Sequence, residues 1–179
     1  MGEARLHGPV LLVIAAFSRH AETLEWARGR LEQEFGPVGL ASDPYRFVQT
    51  SYYQATMGPD LRKQFLAFRD LVAADSLADI KLTTNRIERE PTASRTEGES
   101  RPLNLDPGIV TLGKFHLATT KDQAHRVYLR DGIFAEVTLR FHAGAWEPWP
   151  WTYSDYRLPE VLAFLKEARD YYRQRLICE

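Results

Sequence analysis

Cysteine is almost absent from this chain of 179 residues, and its scarcity excludes several classes of protein. The single cysteine, Cys178, cannot form an internal disulfide or a cysteine-based zinc site, which agrees with a reducing compartment. The longest apolar run, Val10 to Phe17, is too short to span a bilayer. The segment MGEARLHGP before it has no apolar stretch of signal-peptide length. We therefore predict a cytoplasmic protein that does not enter a membrane.

An excess of charge of either sign is also lacking. The chain has 23 Lys and Arg against 24 Asp and Glu, which gives a net charge of −1. Non-specific nucleic-acid binding depends on basic surface, so nucleic acid is not an expected partner. The motifs HExxH, GxSxG and GxGxxG are missing, which counts against zincins, α/β-hydrolases and dinucleotide-binding folds. The length fits a single domain over residues 1–179.

Hydrophobic patterning predicts alternating elements in the first half of the chain. Val10 to Phe17 is typical of a central strand, and the following helix has Ser18 as its N-cap and ends at Gly36. The segment from Tyr45 to Tyr53 indicates a second strand. Pro59 then begins a helix that carries Leu61, Phe65 and Phe68.

The second half is harder to interpret. Leu77 to Arg89 fits a strand or a helix, and its paired threonines favour the strand. Residues 91–101 lack apolar periodicity and predict a flexible loop. Asp106 and Pro107 predict a short strand followed by a helix over Ile109 to His116. With a last helix from Pro159, we predict an α+β fold with an α/β-like N-terminal half, a mixed β-sheet, and helices packed against that sheet.

The segment HRVYLRDGIFAEVTLRF, residues 125–141, predicts a β-hairpin. A two-residue turn at Asp131 and Gly132 would place Glu136 among apolar side chains, so we favour a three-residue loop that pairs Leu129 with Ile133. One face then gathers a polar set, namely Arg126, Tyr128, Glu136, Thr138 and Arg140, with Arg126 opposite Glu136. An arginine fork suits phosphate or carboxylate, but a solvated sheet face explains the set more simply.

Four motifs in order, KLTTNRIE, RPLNLDPG, ATTKDQAHRVYLRDGIFAEVTLRF and PWTYSDY, resemble a bacterial family known as domain of unknown function 4416. The family pattern has Tyr at Ile109 and Phe134 and Pro at Ser154, so this chain departs from it at those positions. The resemblance implies no particular activity. The positions that match it are Lys81, Asn85, Glu88, Asn104, Asp106, Lys121, His125, Arg126, Glu136, Trp151, Tyr153 and Asp155.

Polar residues crowd the segment from Thr119 to Arg126, just before the hairpin. Such a segment can hold an anion, although a solvated connection is an equally good interpretation. His125 is interpreted more simply as a histidine at the edge of the core than as a general base. A carboxylate cluster of Glu88, Asp106 and Glu136 would suit Mg²⁺, but the spacing matches no ligand motif, so Mg²⁺ is not favoured and no metal ligands are assigned.

Five aromatic residues lie in the eleven positions from Trp146 to Tyr156, separated by two prolines. They can form a wall over a base or sugar, but a structural cover over the sheet is the favoured interpretation. They also suggest an alternative function, a protein interaction module or a homo-oligomer subunit.

Together these patterns lead us to expect an enzyme or a binding domain for a small anionic, phosphorylated or nucleotide-like molecule. Whether it catalyses a reaction stays open, and so do its cofactor and its oligomeric state. The candidate catalytic residues are Glu136, His125 and Asp106. The candidate ligand-binding residues are Lys121, Arg126, Tyr128, Arg140, Asn104, Lys81, Asn85, Trp151, Tyr153 and Asp155.

Overall fold

The strand Leu11–Ser18 lies in the interior of a nine-stranded sheet, and all eight of its residues are buried. The structure is a computed structural model that describes residues 2–48, 53–90 and 100–177. In chain order the strands are β1 (Leu11–Ser18), β2 (Val38–Ala41), β3 (Tyr45–Arg46), β4 (Arg62–Phe68), β5 (Asn104–Val110), β6 (Lys114–Thr119), β7 (Val127–Arg130), β8 (Ile133–His142) and β9 (Ala145–Pro148). The helices are α1 (Ala21–Phe35), α2 (Gln54–Met57), α3 (Leu77–Ile87) and α4 (Pro159–Ile177), with a 3₁₀ helix at Ser154–Arg157.

The sheet order is β2-β4-β1-β5-β6-β8-β7, with β3 beside β4 and β9 beside β8. Alternate side chains of β1 enter two cores, because successive residues of a strand point to opposite faces. Leu11, Val13 and Ala15 pack beneath α4. Leu12 and Ile14 pack against α1 and α3. The predicted central strand, covered on both faces, is therefore confirmed.

The α+β class and two of the predicted helices are confirmed. Helix α1 ends at Phe35, where Gly36 takes a φ of 83° and its N–H donates to the Glu32 carbonyl. Helix α4 begins at Pro159 as expected, a position where proline loses no helical hydrogen bond. Ser18 is not the N-cap of α1, because that position is His20. The Ser18 hydroxyl instead accepts a hydrogen bond from the His20 N–H.

The predicted helix after Pro59 is wrong, because Arg62–Phe68 forms β4 beside β1. Leu61, Phe65 and Phe68 have helical spacing, but β4 is buried along most of its length and tolerates apolar residues on both faces. The predicted strand from Tyr45 to Tyr53 is shorter, since β3 covers Tyr45–Arg46 and residues 49–52 lie outside the described residues.

Two further predictions of secondary structure are wrong. Leu77–Ile87 is a helix, α3, whose buried side chains recur at helical spacing. The segment predicted as a strand and then a helix forms β5 and β6. Every pairing between the described strands is antiparallel, so the expected mixture of strand directions is not seen among them.

The hairpin of β7 and β8 has a two-residue turn rather than the predicted three-residue loop. Arg130 pairs with Ile133 across Asp131 and Gly132, whose φ angles are 53° and 75°. A register shift at Leu129 follows, and the predicted pairing of Tyr128 with Phe134 is regained. The burial of Glu136 had been the argument against a two-residue turn, yet Glu136 is buried, and its charge is paired with that of Arg126.

β5 and β6 separate at one end, and this gap positions the candidate site. They pair only from Gly108 opposite Leu117 to Val110 opposite Phe115, although β5 begins at Asn104 and β6 continues to Thr119. Helix α3 supplies the hydrogen bonds that a neighbouring strand would make. The Leu105 N–H donates to the Glu88 carboxylate at 2.7 Å, and the Lys81 ammonium donates to the Leu105 carbonyl at 2.8 Å.

None of the described helices is both long and apolar enough to cross a membrane. Most of the predicted flexible loop, residues 91–99, lies outside the described residues. At its end Arg101 is held in place, since its guanidinium donates to the Glu88 carboxylate at 2.7 Å.

Candidate ligand-binding cleft

A cavity of about 460 Å³ occupies the gap between β5 and β6 and extends to the 3₁₀ helix. We call it the cleft. Its lining residues are Phe17, Phe47, Tyr53, Lys63, Lys81, Asn85, Arg101, Asn104, Asp106, Leu117, Ala118, Thr119, Thr120, Lys121, Gln123, Arg126, Glu136, Tyr153, Ser154, Asp155 and Tyr156. This volume lies within the range of small-molecule sites. A second cavity of about 780 Å³ shares Tyr53, Asn85, Arg101 and Thr120 with it.

One wall of the cleft is organised by the buried ion pair of Arg126 and Glu136. The Arg126 Nε lies 2.8 Å from the Glu136 Oε2, and each side chain is 1% exposed. The guanidinium also donates to the Lys121 carbonyl at 2.9 Å and to the Tyr153 hydroxyl at 2.7 Å. Arg126 thus joins the hairpin to the segment before it and to the segment after β9.

The Glu136 carboxylate has further partners. His125 Nε2 lies 3.2 Å from Oε2, and the Thr138 hydroxyl donates to Oε1 at 3.2 Å. With Arg126, these contacts occupy both oxygens of a buried carboxylate. Glu136 therefore holds this wall together by bonding to Arg126, His125 and Thr138.

Lys63 brings a second buried positive charge to the cleft. Its ammonium lies 2.6 Å from the Asp155 carboxylate. Four aromatic rings also surround the ammonium at 4.7 to 5.5 Å from their centroids, and these belong to Phe17, Phe47, Phe65 and Tyr156. Ion pairing and cation–π attraction together offset the cost of burying this lysine.

Lys81 and Asp106 face each other across the gap. The Lys81 ammonium lies 3.6 Å from the Asp106 Oδ1, and the Asp106 side chain is 28% exposed. The other two carboxylates of the cleft, Glu136 and Asp155, are almost fully covered. Asp106 is therefore the cleft carboxylate best placed to contact a bound molecule.

Asn104 has a buried donor without a partner among the described residues. The residue is 2% exposed, and its Oδ1 accepts a hydrogen bond from Arg101. A guanidinium can only donate, so this contact fixes the amide with its oxygen toward Arg101. The Nδ2 group is left unsatisfied beside the cleft. Buried amide donors are nearly always paired, so Nδ2 is the group of Asn104 that remains available to an acceptor.

Burial raises the pKa of Glu88, although Lys81 and Arg101 act in the opposite direction. Burial also raises the pKa of Tyr156 well above its usual value, with a smaller contribution from Asp155. The Tyr156 hydroxyl is therefore protonated at neutral pH, and like Asn104 Nδ2 it has no hydrogen-bond partner among the described residues.

A family model described as "Domain of unknown function (DUF4416)" matches residues 8–172. The chain belongs to this family. The match includes every residue that lines the cleft and confirms the resemblance seen in the four motifs. No curated protein and no solved structure matches the chain.

In this DUF4416 chain, most of the predicted site residues come together. Those that line the cleft are Lys81, Asn85, Asn104, Asp106, Lys121, Arg126, Glu136, Tyr153 and Asp155. His125 lies behind the wall, against Glu136 and the ring of Trp151.

Besides His125, three predicted residues do not line the cleft. Tyr128 is exposed on the edge strand β7, where it contacts Phe134. Arg140 points elsewhere because it pairs with Glu147 on β9 at 2.7 Å. Trp151 stacks on His125 and donates to the Val137 carbonyl, so it covers the sheet, as the favoured interpretation of the aromatic stretch had it.

The sequence interpretation missed Lys63, Arg101 and the aromatic rings of Phe17 and Phe47. Lys63 carried little signal, because it lies between Arg62 and Gln64 at the polar start of β4, and this segment was assigned as a helix. Arg101 lay in the predicted loop.

The carboxylate cluster considered for Mg²⁺ is not assembled. Glu136 is held by Arg126, and Glu88 by Arg101 and the Leu105 N–H. In the part of the chain that the structure describes, no three His, Cys, Asp or Glu side chains converge in an arrangement that could hold a metal ion.

Proposed function

We propose that the protein binds a small anionic molecule that also carries a planar ring, of the phosphorylated or nucleotide-like class. The observation that carries the proposal is the lining of the cleft, where cationic residues outnumber carboxylates and an aromatic cluster is included. The cationic residues are Lys63, Lys81, Arg101, Lys121 and Arg126, and the carboxylates are Asp106, Glu136 and Asp155.

The anionic group is assigned to the end of the cleft formed by Thr119, Thr120, Lys121 and Arg126. Three of the five N–H donors of Arg126 serve Glu136, Lys121 and Tyr153, which leaves two. The hydroxyls of the threonines and the Lys121 ammonium add donors that suit phosphate oxygens.

The ring is assigned to the aromatic side of the cleft. Phe17 lies 5.0 Å from Phe47 and 4.8 Å from Tyr53 between ring centroids. Such a cluster favours a flat, apolar group over a second charge, because stacking contributes to binding and desolvating an ion opposes it. A ligand with one charged end and one aromatic end satisfies both sides.

If the bound molecule reacts, Asp106 is the residue to which we assign proton transfer. Its carboxylate borders the cleft and is partly exposed. Glu136 and His125, the other sequence candidates, are engaged with each other and with Arg126. This assignment replaces Glu136 as the first choice for a base.

The test is a thermal-shift and calorimetric screen with inorganic phosphate, ribose 5-phosphate, and nucleoside mono-, di- and triphosphates, with and without Mg²⁺. We expect at least one nucleotide to raise the melting temperature in a concentration-dependent way. Lys121→Gln should weaken that ligand several-fold. Lys166→Gln, which removes a charge from the exposed side of α4, should not.

The proposal is abandoned if none of these compounds stabilises the protein, or if both lysine variants bind equally well. The alternative, a protein interaction module, has less support. Trp146 and Tyr156 are buried, while Tyr153 and Trp151 are engaged with Arg126 and His125. A stable oligomer measured by light scattering would favour this alternative.

A further inference from the structure

The unpaired amide of Asn104 carries an inference about which part of a ligand meets β5. This inference rests on the proposed function. We infer that Asn104 recognises the edge of the ligand's neutral ring, by donating a hydrogen bond from Nδ2 to a ring carbonyl or ring nitrogen. Asp106 accepts a hydrogen bond from a neighbouring N–H of the same ring.

The direction of the hydrogen bond follows from Arg101. Because the guanidinium has no acceptor, its contact with Asn104 Oδ1 fixes the amide orientation. Glu88 in turn holds Arg101 at 2.7 Å. The remaining polar group of Asn104 is consequently a buried donor, and an acceptor on the ligand would satisfy it.

The acceptor belongs to the neutral part of the ligand because of the surrounding charge. Asn104 and Asp106 are two residues apart on β5, so their side chains share a face of the sheet. Glu88 approaches from α3 through Arg101. Lys81 and Arg101 each pair with one of these carboxylates, Asp106 at 3.6 Å and Glu88 at 2.7 Å, so no excess positive charge is available for an oxyanion beside the amide. A heterocycle with an acceptor next to a donor complements both Asn104 and Asp106.

The position of the aromatic cluster agrees with this assignment. Phe17 of β1 is paired directly with Asn104, so the two side chains are neighbours on the same face. A ring that stacks against the aromatic side of the cleft therefore has its edge within reach of the amide. The ligand class is a nucleotide or another phosphorylated compound with such a heterocycle.

The experiment compares a ring-bearing ligand with its ringless counterpart in three proteins. Affinities for UMP, CMP, GMP and AMP, and for ribose 5-phosphate, are measured by calorimetry with the wild type, Asn104→Ala and Gln33→Ala. Gln33 is exposed on α1 and does not line the cleft, so it is the control. We expect Asn104→Ala to weaken the best nucleotide about tenfold or more and to leave ribose 5-phosphate unchanged. Gln33→Ala should resemble the wild type.

Asn104→Asp gives a second test, because it keeps an oxygen for Arg101 and replaces the donor with an acceptor. It should weaken the best nucleotide more than ribose 5-phosphate. Equal losses for both ligands, or no loss for either, would overturn the inference and leave the proposed function standing. If neither nucleotides nor phosphates bind the wild type, the proposed function falls and the inference falls with it. Circular dichroism verifies that each variant is folded.

Discussion

Arg126 and Glu136 form an ion pair whose two side chains are each 1% exposed, whereas the Arg140–Glu147 pair beside it is 51% and 35% exposed. Both pairs use one residue of β8, so the hairpin region contains a buried and a solvated version of the same interaction. In the buried pair, loss of one partner leaves a charge that water cannot reach.

We expect Glu136→Gln to lower the free energy of unfolding by about 3 kcal/mol, because Arg126 would stay charged and buried. Urea denaturation measures the change. Glu147→Gln, the exposed counterpart, should leave the midpoint unchanged. The sequence analysis favoured a solvated sheet face for Glu136, and on such a face its replacement would hardly affect stability. A small effect in both variants would show that Arg126 finds another partner.

Gly108→Ala is expected to destabilise the protein by about 2 kcal/mol or more. A Cβ at Gly108 would lie 2.4 Å from the His116 carbonyl and 2.7 Å from the Phe115 ring, at the last pair before β5 and β6 separate. Gly113→Ala is the control, since a Cβ there meets nothing within 4 Å. Thermal melts of the two variants should differ clearly, and equal melting temperatures would contradict the close approach of the strands.

Lys81→Met should cost about 2 kcal/mol of stability, because it leaves the buried Leu105 carbonyl without its donor. Asp106→Asn retains that hydrogen bond and removes only the charge 3.6 Å away, so it should cost less. Denaturant titrations of both variants make the comparison. If Asp106→Asn proved the more harmful change, the ion pair rather than the carbonyl would be what Lys81 stabilises.

His116 should make stability depend on pH. Burial lowers its pKa to about 4, and Lys114 and His7 add to the effect. Between pH 6.5 and 4 the unfolded chain binds a proton that the folded protein excludes, so stability falls as the pH is lowered through this range. The contribution is at most about 1.4 kcal/mol per pH unit. Unfolding free energies of His116→Gln should show a shallower slope, and an unchanged slope would disprove this contribution.

Local sequence patterns correctly predicted the helices and strands whose buried positions follow the expected hydrophobic pattern. Val10 to Phe17 could only be a buried strand, and Pro159 and Gly36 mark helix boundaries whatever surrounds them. The segment of β4 was predicted as a helix and that of α3 as a strand. A strand buried on both faces loses the alternation of apolar and polar residues that identifies strands. A short helix such as Leu77–Ile87 can also imitate that alternation. Which strand lies beside β1 depends on contacts distant in sequence.

The site was predictable where its residues lie on one hairpin or match a family motif. Arg126 and Glu136 were expected on one face from strand parity, and their contact confirms it. Lys63 was not predicted, because its partner Asp155 lies far along the chain and only the folded sheet brings them together. Arg140 was misassigned because β9, which supplies Glu147, was not recognised as a strand.

The position of β1 in the sheet has a consequence for how the chain assembles. Both of its neighbours, β4 and β5, follow much later in the sequence, so this strand, apolar except for Ser18, is synthesised long before it can pair. The β7–β8 and β8–β9 hairpins instead join sequence neighbours and need only short loops to close. When the complete chain refolds, these local hairpins are expected to form before the central strand inserts between β4 and β5. The nascent segment VLLVIAAF is the one that a chaperone would protect from aggregation until β5 arrives.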